Sequence, residues 1–251
     1  MSTTTAVEAE QQRIGELSGA AVTTPRWLIC RYAAPAIIVG RSQRLDPDQL
    51  ARAARQQLPL VRRKSGGGAV MAGPEMLSLS VFLPHQHPIS RANAVVAYNW
   101  LGDVWREVLA EHHIESRICA VGEARQSQQQ ARDAGADWAC YSSVSHGELL
   151  TMDGRKLLGI AQIRNRYCTV LTSGIYLYPT DWSTLAAVVT GGLAQVEFLK
   201  KYNASIDCVA GAAAAETIRA IPARIHANLC DQLAGVDVRP TDNERGGNYE
   251  A

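Results

Sequence analysis

The chain has the length and composition of an ordinary folded protein. Its 251 residues are 47% hydrophobic and 20% charged, which excludes a disordered or fibrous chain. A net charge of +1 gives no bulk attraction to nucleic acid or to an anionic membrane, and no apolar run is long enough to span a bilayer, so any binding of anions must be local.

One domain is expected over residues 1–238, followed by a polar, Gly-containing tail over 239–251 that is expected to be disordered. The six cysteines are scattered without CxxC pairs, and no basic and apolar leader opens the chain. A reducing cytoplasm is therefore the expected location. Most of the cysteines are interpreted as buried small hydrophobic residues. These are Cys30, Cys119, Cys168, Cys208 and Cys230.

The first part of the chain alternates helical and strand patterns. Residues 2–5 are interpreted as a frayed start. The segment MLSLSVFL at 76–83 alternates serine with large apolar residues, which predicts a half-buried strand. The other predicted elements are a helix within 3–18, strands at 27–31 and 36–39, a helix over 46–57 that Asp46 caps, and extended chain at 60–62.

The second part contains the strongest helical pattern, because apolar residues recur every three or four positions between 90 and 111. Residues 122–135 are polar and Gln-rich, and this predicts a surface loop that becomes ordered on binding. Pro222 is expected to divide the helical segment 212–233 into two. The remaining predicted elements are strands at 148–152, 156–163 and 168–177, and a helix over 180–189.

A glycine run follows three basic residues in VRRKSGGGAV. Glycines at 66–68 would let the backbone approach a ligand, while Arg62, Arg63 and Lys64 would supply charge for a phosphate or carboxylate. The run is neither a Walker loop nor a dinucleotide fingerprint. The alternative is a tight turn with solvated basic residues.

Lys156 opens a strand after the turn sequence Asp153-Gly154, which predicts a hairpin. If this lysine faces inward among apolar neighbours, it needs an anionic partner. The alternative is an exposed lysine at the end of the hairpin.

Cys140 precedes that hairpin and could be a nucleophile if a nearby cation stabilises its thiolate, although most cysteines are simply buried. His146 could act as its base, or could be an exposed turn residue. His85 and His87 have metal-like spacing, but nothing nearby completes a site, so no metal site is predicted.

Four segments in this order resemble the lipoate protein ligase family and its octanoyltransferase relatives: WLICRYAAPAIIVGRSQ, RRKSGGGAV, GRKLLGIAQ and LTSGIYL. The resemblance covers roughly residues 26 to 190. It implies an α+β fold of mixed or antiparallel sheets flanked by helices, related to the biotin protein ligase catalytic domain.

The resemblance also implies roles for individual residues. Lys156 would contact the carboxyl group or acyl-phosphate oxygens. Two segments depart from the pattern: residues 71–75 replace a His-Asp pair usual in the ligases, and residues 158–161 replace Ser-Gly-Ser-Ala. The residues expected to line the acyl and nucleotide pocket are Arg63, Gly66, Gly67, Gly68, Ala69, Val70, Gly159 and Ala161.

Three functions remain open, and the sequence favours the ligase by a narrow margin because the glycine run is the more specific pattern. Gly68 favours a ligase that makes an acyl-adenylate from ATP, with Mg²⁺, and lipoate or octanoate. The cysteine-dependent relatives commonly carry a larger residue there, which would restrict the approach of a nucleotide phosphate. The position of Cys140 instead favours a transferase that forms a thioester on this cysteine. The absent His-Asp pair permits a non-catalytic binding module. Either enzyme would modify a lysine of a lipoyl carrier domain, and an accessory subunit is a further possible partner.

Overall fold

A computed structural model describes residues 2–234. The strands are β1 (Thr3–Thr5), β2 (Arg26–Tyr32), β3 (Ala36–Val39), β4 (Leu60–Arg62), β5 (Val70–Ala72), β6 (Met76–Pro84), β7 (Ser116–Ile118), β8 (Leu149–Thr151), β9 (Leu158–Arg164) and β10 (Cys168–Tyr176). The α-helices are α1 (Val7–Ser18), α2 (Pro47–Arg55), α3 (Pro88–Arg91), α4 (Ala94–Ala110), α5 (Val121–Asp133), α6 (Trp182–Val189), α7 (Val196–Tyr202), α8 (Ile206–Ala210) and α9 (Ala214–Leu233).

The largest sheet has the strand order β1-β2-β6-β10-β9. β1 runs parallel to β2, and the other neighbours in this sheet are antiparallel. A second sheet has the order β4-β3-β5, and β7 pairs with β8. The predicted α+β fold of mixed sheets flanked by helices is therefore confirmed.

Strand β6 lies at the centre of the largest sheet, and all nine of its residues are buried. The prediction of a half-buried strand is wrong, because its serine face is covered rather than solvated. Ser78 donates a hydrogen bond to Glu10 of α1, which lies over this face. The opposite face of β6 carries Leu77, Leu79 and Val81 into the main hydrophobic core.

Helix α4 supplies much of that core, as its apolar period predicts. Asn93 caps the helix by accepting a hydrogen bond from the Val96 backbone N–H. Trp105 is fully buried, and its indole N–H donates to the Ser173 hydroxyl at 2.8 Å. Helix α9 packs against α4 and adds Ile221 to the same core. This packing fixes one face of the sheet and leaves the serine face to α1.

The N-terminal segment differs from its prediction. Residues 3–5 form strand β1 and pair with residues 30–32 of β2, so this start is not frayed. The expected disordered tail at 239–251 lies outside the described residues. Within residues 2–234, no helix is long and apolar enough to cross a membrane.

Two further predictions are wrong. Residues 121–133 form helix α5 instead of a loop, since Ala, Arg, Glu and Gln favour helix even where only two small side chains, Ala124 and Ala131, are buried. Pro222 lies inside α9, which continues from Ala214 to Leu233 without a break. The ring of Pro222 is buried, and packing of this helix on the core offsets the missing backbone donor.

Candidate active site

Small side chains occupy neighbouring positions on three adjacent strands of the largest sheet. The pairing places Gly174 of β10 between Ser78 and Gly159, and places Thr172 between Ser80 and Ala161. Because side chains alternate between the two faces of a strand, these two rows lie on one face, under α1. Because these side chains are small, space remains between the sheet and α1.

That space is the inner pocket, which has a volume of about 530 Å³ that includes its solvent-open part. The small rows form its floor, and Glu10 and Ile14 of α1 contribute to its cover. Tyr141 closes part of it, with its hydroxyl donating to the Gly174 carbonyl at 2.6 Å. Several residues predicted for the acyl pocket line it: Arg63, Val70, Gly159 and Ala161.

The glycine run packs against the segment that carries Cys140. A Cβ atom added to Gly68 would lie 2.6 Å from the Trp138 carbonyl oxygen and 2.7 Å from the Cys140 nitrogen. The Cys140 N–H donates to the Ala69 carbonyl at 2.8 Å. Gly68 is therefore required by contact with its own chain. This is a different reason from the access for a nucleotide phosphate that the sequence suggested.

The other glycines of the run border a second space, the outer cleft, of about 1070 Å³. Gly67 has a φ of +102°, a conformation that favours glycine. Gly66, Gly67 and Gly68 line the outer cleft, whereas Ala69 lines a small separate cavity beside Val188. Of the residues predicted to line the pocket, Ala69 thus borders neither the inner pocket nor the outer cleft.

Cys140 stands where the two spaces meet, because it lines both the inner pocket and the outer cleft. It begins a short 3-10 helix and is partly exposed. Cys30, Cys119 and Cys168 are buried as expected, but Cys208 is exposed and Cys230 is half-buried. Burial of the last two was therefore a wrong expectation.

Lys156 faces inward, with only 2% of its side chain exposed. Its ammonium lies 2.8 Å from a carboxylate oxygen of Glu148 and donates to the carbonyl oxygens of Ser143 at 2.9 Å and Cys140 at 3.2 Å. The ring of Tyr141 lies 4.8 Å away. The anionic partner that an inward lysine requires is thus Glu148, and the lysine holds the backbone at Cys140.

Sequence reasoning missed Glu148, which is itself 2% exposed. Its carboxylate also accepts hydrogen bonds from the backbone N–H groups of Ser145 at 2.7 Å and Ile160 at 2.8 Å. A signal was available. Glu148 immediately precedes β8, and Leu150 of β8 forms a β-bridge with Lys156 across the turn. The anion that pairs with a buried lysine should be sought among its cross-strand neighbours.

The three basic residues before the glycines contact backbone carbonyl groups. The Arg63 guanidinium donates to Gly66 and Gly68, and Arg62 donates to Gly40, Arg41 and Gln43. Lys64 donates to Gly15. These contacts brace the glycine run. Binding of a ligand anion by Arg63 stays a prediction.

In the part of the chain that the structure describes, no hydrogen bond joins a histidine to Cys140. The His146 ring packs on Tyr98, with 5.2 Å between ring centroids, and borders neither the inner pocket nor the outer cleft. His87 caps α3 by accepting from the Ile89 N–H, and burial lowers its pKa. Among the described residues, the charged side chain that hydrogen-bonds to the backbone of Cys140 is therefore Lys156.

The charged residues around the outer cleft balance one another. Among the described residues that line the cleft, the cations are Lys156 and Arg132, and the anions are Glu148 and Asp137. A nucleotide triphosphate and its metal would need an excess of cationic and backbone donors for the phosphates. The charged side chains that line this cleft among the described residues do not provide an excess of positive charge.

Solved structures with a similar fold include a bipartite lipoate protein ligase from Thermoplasma acidophilum, described with its E2 lipoyl domain. Its TM-score is 0.63 at 14% identity, covering 96% of this chain and 86% of that one. Lipoate-protein ligase A bound with ATP gives a TM-score of 0.61 at 14% identity, covering 93% and 86%. At this identity, the likeness establishes the fold.

Residues 9–209 match the lipoyl protein ligase A/B catalytic domain, and the chain belongs to that family. The predicted resemblance is thereby confirmed. The chain is also 34% identical over 156 residues to the octanoyltransferase LipM of Exiguobacterium sp., an alignment that covers 60% of this chain. It spans about half the length of that curated relative, 53%.

Proposed function

We propose that the protein is a cysteine-dependent acyltransferase that moves a medium-chain acyl group, such as octanoyl, to a lysine of a lipoyl carrier domain. One observation carries the proposal: Cys140 stands at the junction of the inner pocket and the outer cleft, with Lys156 bonded to its backbone. The similarity to an octanoyltransferase agrees with it.

The chemistry needs two steps. In the first, the Cys140 sulfur attacks the carbonyl carbon of an acyl thioester, and the donor thiol leaves with a proton. In the second, the unprotonated amine of the carrier lysine attacks the enzyme thioester. An amide forms, and the proton lost by the amine restores the Cys140 thiol. No nucleotide is consumed.

Lys156 has two tasks in this proposal. Its hydrogen bonds to the carbonyl groups of Cys140 and Ser143 hold the nucleophile in place. Its charge, buried and fixed by Glu148, would stabilise the negative charge that develops near Cys140 during each attack. A preorganised charge of this kind needs no rearrangement when the reaction occurs.

The inner pocket would hold the acyl chain, and the outer cleft would receive first the donor and then the carrier domain. Gly159 and Ala161 would let the chain lie close to the sheet, while Val70 and the glycine run would border it. The catalytic unit is proposed to extend over residues 1–238. An accessory subunit is not needed for the two steps above.

The ligase hypothesis, which the sequence favours, has less support than the transferase. Gly68 no longer argues for ATP, because its contacts with Trp138 and Cys140 explain it. The balanced charges of the outer cleft do not favour a triphosphate. A non-catalytic module would leave the position of Cys140 at the junction of the two spaces without a role.

The test is the intact mass of a lipoyl domain after incubation with the protein and an octanoyl thioester, compared with incubation with octanoate, ATP and Mg²⁺. The proposal predicts modification from the thioester, an acyl adduct on the protein itself, and loss of both in Cys140→Ala. Cys208→Ala is the matched control, since Cys208 is exposed and lies outside both spaces. Modification with ATP that survives Cys140→Ala would establish the ligase instead.

A further inference from the structure

The inner pocket has a polar end. Glu10 of α1 lines it and is only 2% exposed. One carboxyl oxygen accepts from the Ser78 hydroxyl at 2.6 Å, and the other accepts from the Tyr32 hydroxyl at 2.5 Å. These bonds join α1 to β2 and β6, and they place a polar group at the end of a pocket whose floor is otherwise made of small side chains.

The surroundings of Glu10 favour its neutral form. Burial raises the pKa of the Glu10 carboxyl, against the opposing effect of its hydrogen bonds. A protonated carboxyl carries an O–H of its own, so Glu10 can donate a hydrogen bond as well as accept one.

Ser80 provides a second and independent observation. It lines the same pocket, is fully buried, and its hydroxyl has no hydrogen-bond partner among the described residues. It lies two positions from Ser78 on the same face of β6. A buried hydroxyl without a partner is costly, and because Ser80 lines the pocket its hydroxyl is available to a polar group of a bound ligand.

The distance across the sheet relates this polar end to the chain terminus. The entrance lies at β9, since Tyr141, next to Cys140, packs on Gly159. Crossing from Gly159 to Ser78 spans two strand intervals, or about 10 Å, roughly the length of an extended acyl chain of about eight carbons. A chain of that length that enters beside Gly159 and crosses the strands would therefore end beside Ser78, which contacts Glu10 and lies two positions from Ser80.

We propose that the inner pocket selects a medium-chain acyl group with a hydrogen-bonding substituent, such as a hydroxyl, on its terminal carbon, bound by Ser80 and Glu10. This inference rests on the proposed function in assuming that the inner pocket holds the acyl chain and that the chain enters beside Cys140. It adds a preference for the far end of the substrate that the reaction at Cys140 does not require.

The test compares ω-hydroxyoctanoyl and octanoyl thioesters as donors to the lipoyl domain. Wild type should show the higher kcat/KM with the hydroxylated chain, and Ser80→Ala should reduce that preference about tenfold, the size expected for one hydrogen bond of about 1.4 kcal/mol. Ser205→Ala is the matched control, because Ser205 is 3% exposed, has an unpartnered hydroxyl and borders neither space. An equal preference in wild type and Ser80→Ala would overturn the inference.

Calorimetric binding of the free acids, ω-hydroxyoctanoate and octanoate, separates this inference from the proposed function. Tighter binding of the hydroxylated acid that Ser80→Ala removes would support the inference even if no acyl transfer occurs. Transfer of octanoyl together with equal binding of both acids would refute the inference and leave the proposed function standing.

Discussion

Replacement of Glu148 by Gln tests the buried charge pair that supports the proposed site. Glu148 and Lys156 are each 2% exposed and lie 2.8 Å apart, so solvent screens their interaction very little. Glu148→Gln keeps the size of the side chain but leaves the ammonium without its anion. Loss of one partner of a buried pair costs about 3–5 kcal/mol, and we expect the free energy of unfolding to fall by about that amount.

Urea unfolding at neutral pH measures this effect. The double variant Glu148→Gln with Lys156→Met should be more stable than Glu148→Gln alone, because it removes the uncompensated charge. Glu123→Gln is the matched control. Its partner Arg117 is about a third exposed, so the loss there should stay below about 1 kcal/mol. A Glu148→Gln variant as stable as this control would refute the reasoning.

Two other substitutions test the packing and the titration described above. Gly68→Ala should destabilise the fold by about 1–3 kcal/mol and impair acyl transfer, because the new methyl group would press on the backbone beside Cys140. Gly122→Ala is the control, because nothing lies within 4 Å of its new methyl group, and urea unfolding should show a neutral or stabilising effect. Equal effects of the two substitutions on stability would contradict the contact at Gly68. Because the native pKa of Glu10 is raised above its ordinary value of 4.5, its contribution to stability is present below that value and is lost as pH rises through the native pKa. The glutamine side chain of the Glu10→Gln variant does not titrate. The free energy of unfolding of wild type, relative to this variant, should therefore fall as pH rises through the native pKa of Glu10, as measured by unfolding curves at several pH values. A difference that rises with pH would show that the native pKa is lowered instead.

The sequence predicted the elements whose patterns are local and strong. The apolar period of α4, the Asp153-Gly154 turn and the capping of α2 by Asp46 each depend on residues a few positions apart, and all three are present. An inward Lys156 could be recognised as needing an anion because its neighbours are apolar.

The remaining features depend on contacts between distant segments. Gly68 was assigned to nucleotide access because its contact with Trp138 cannot be read from a linear pattern. The serines of β6 resembled a solvated face because alternation does not reveal that α1 covers them. Helix α5 was missed since burial of only two alanines leaves almost no apolar period.

The two halves of the candidate site differ in how far apart along the chain their parts lie. Glu148 and Lys156 are eight positions apart on one hairpin, whereas Ser78 is 68 positions from Glu10. Closing a short loop costs less entropy than closing a long one, and local contacts form sooner during folding. We therefore expect the charged hairpin to become ordered early and the polar end of the inner pocket to form only when α1 docks on the completed sheet.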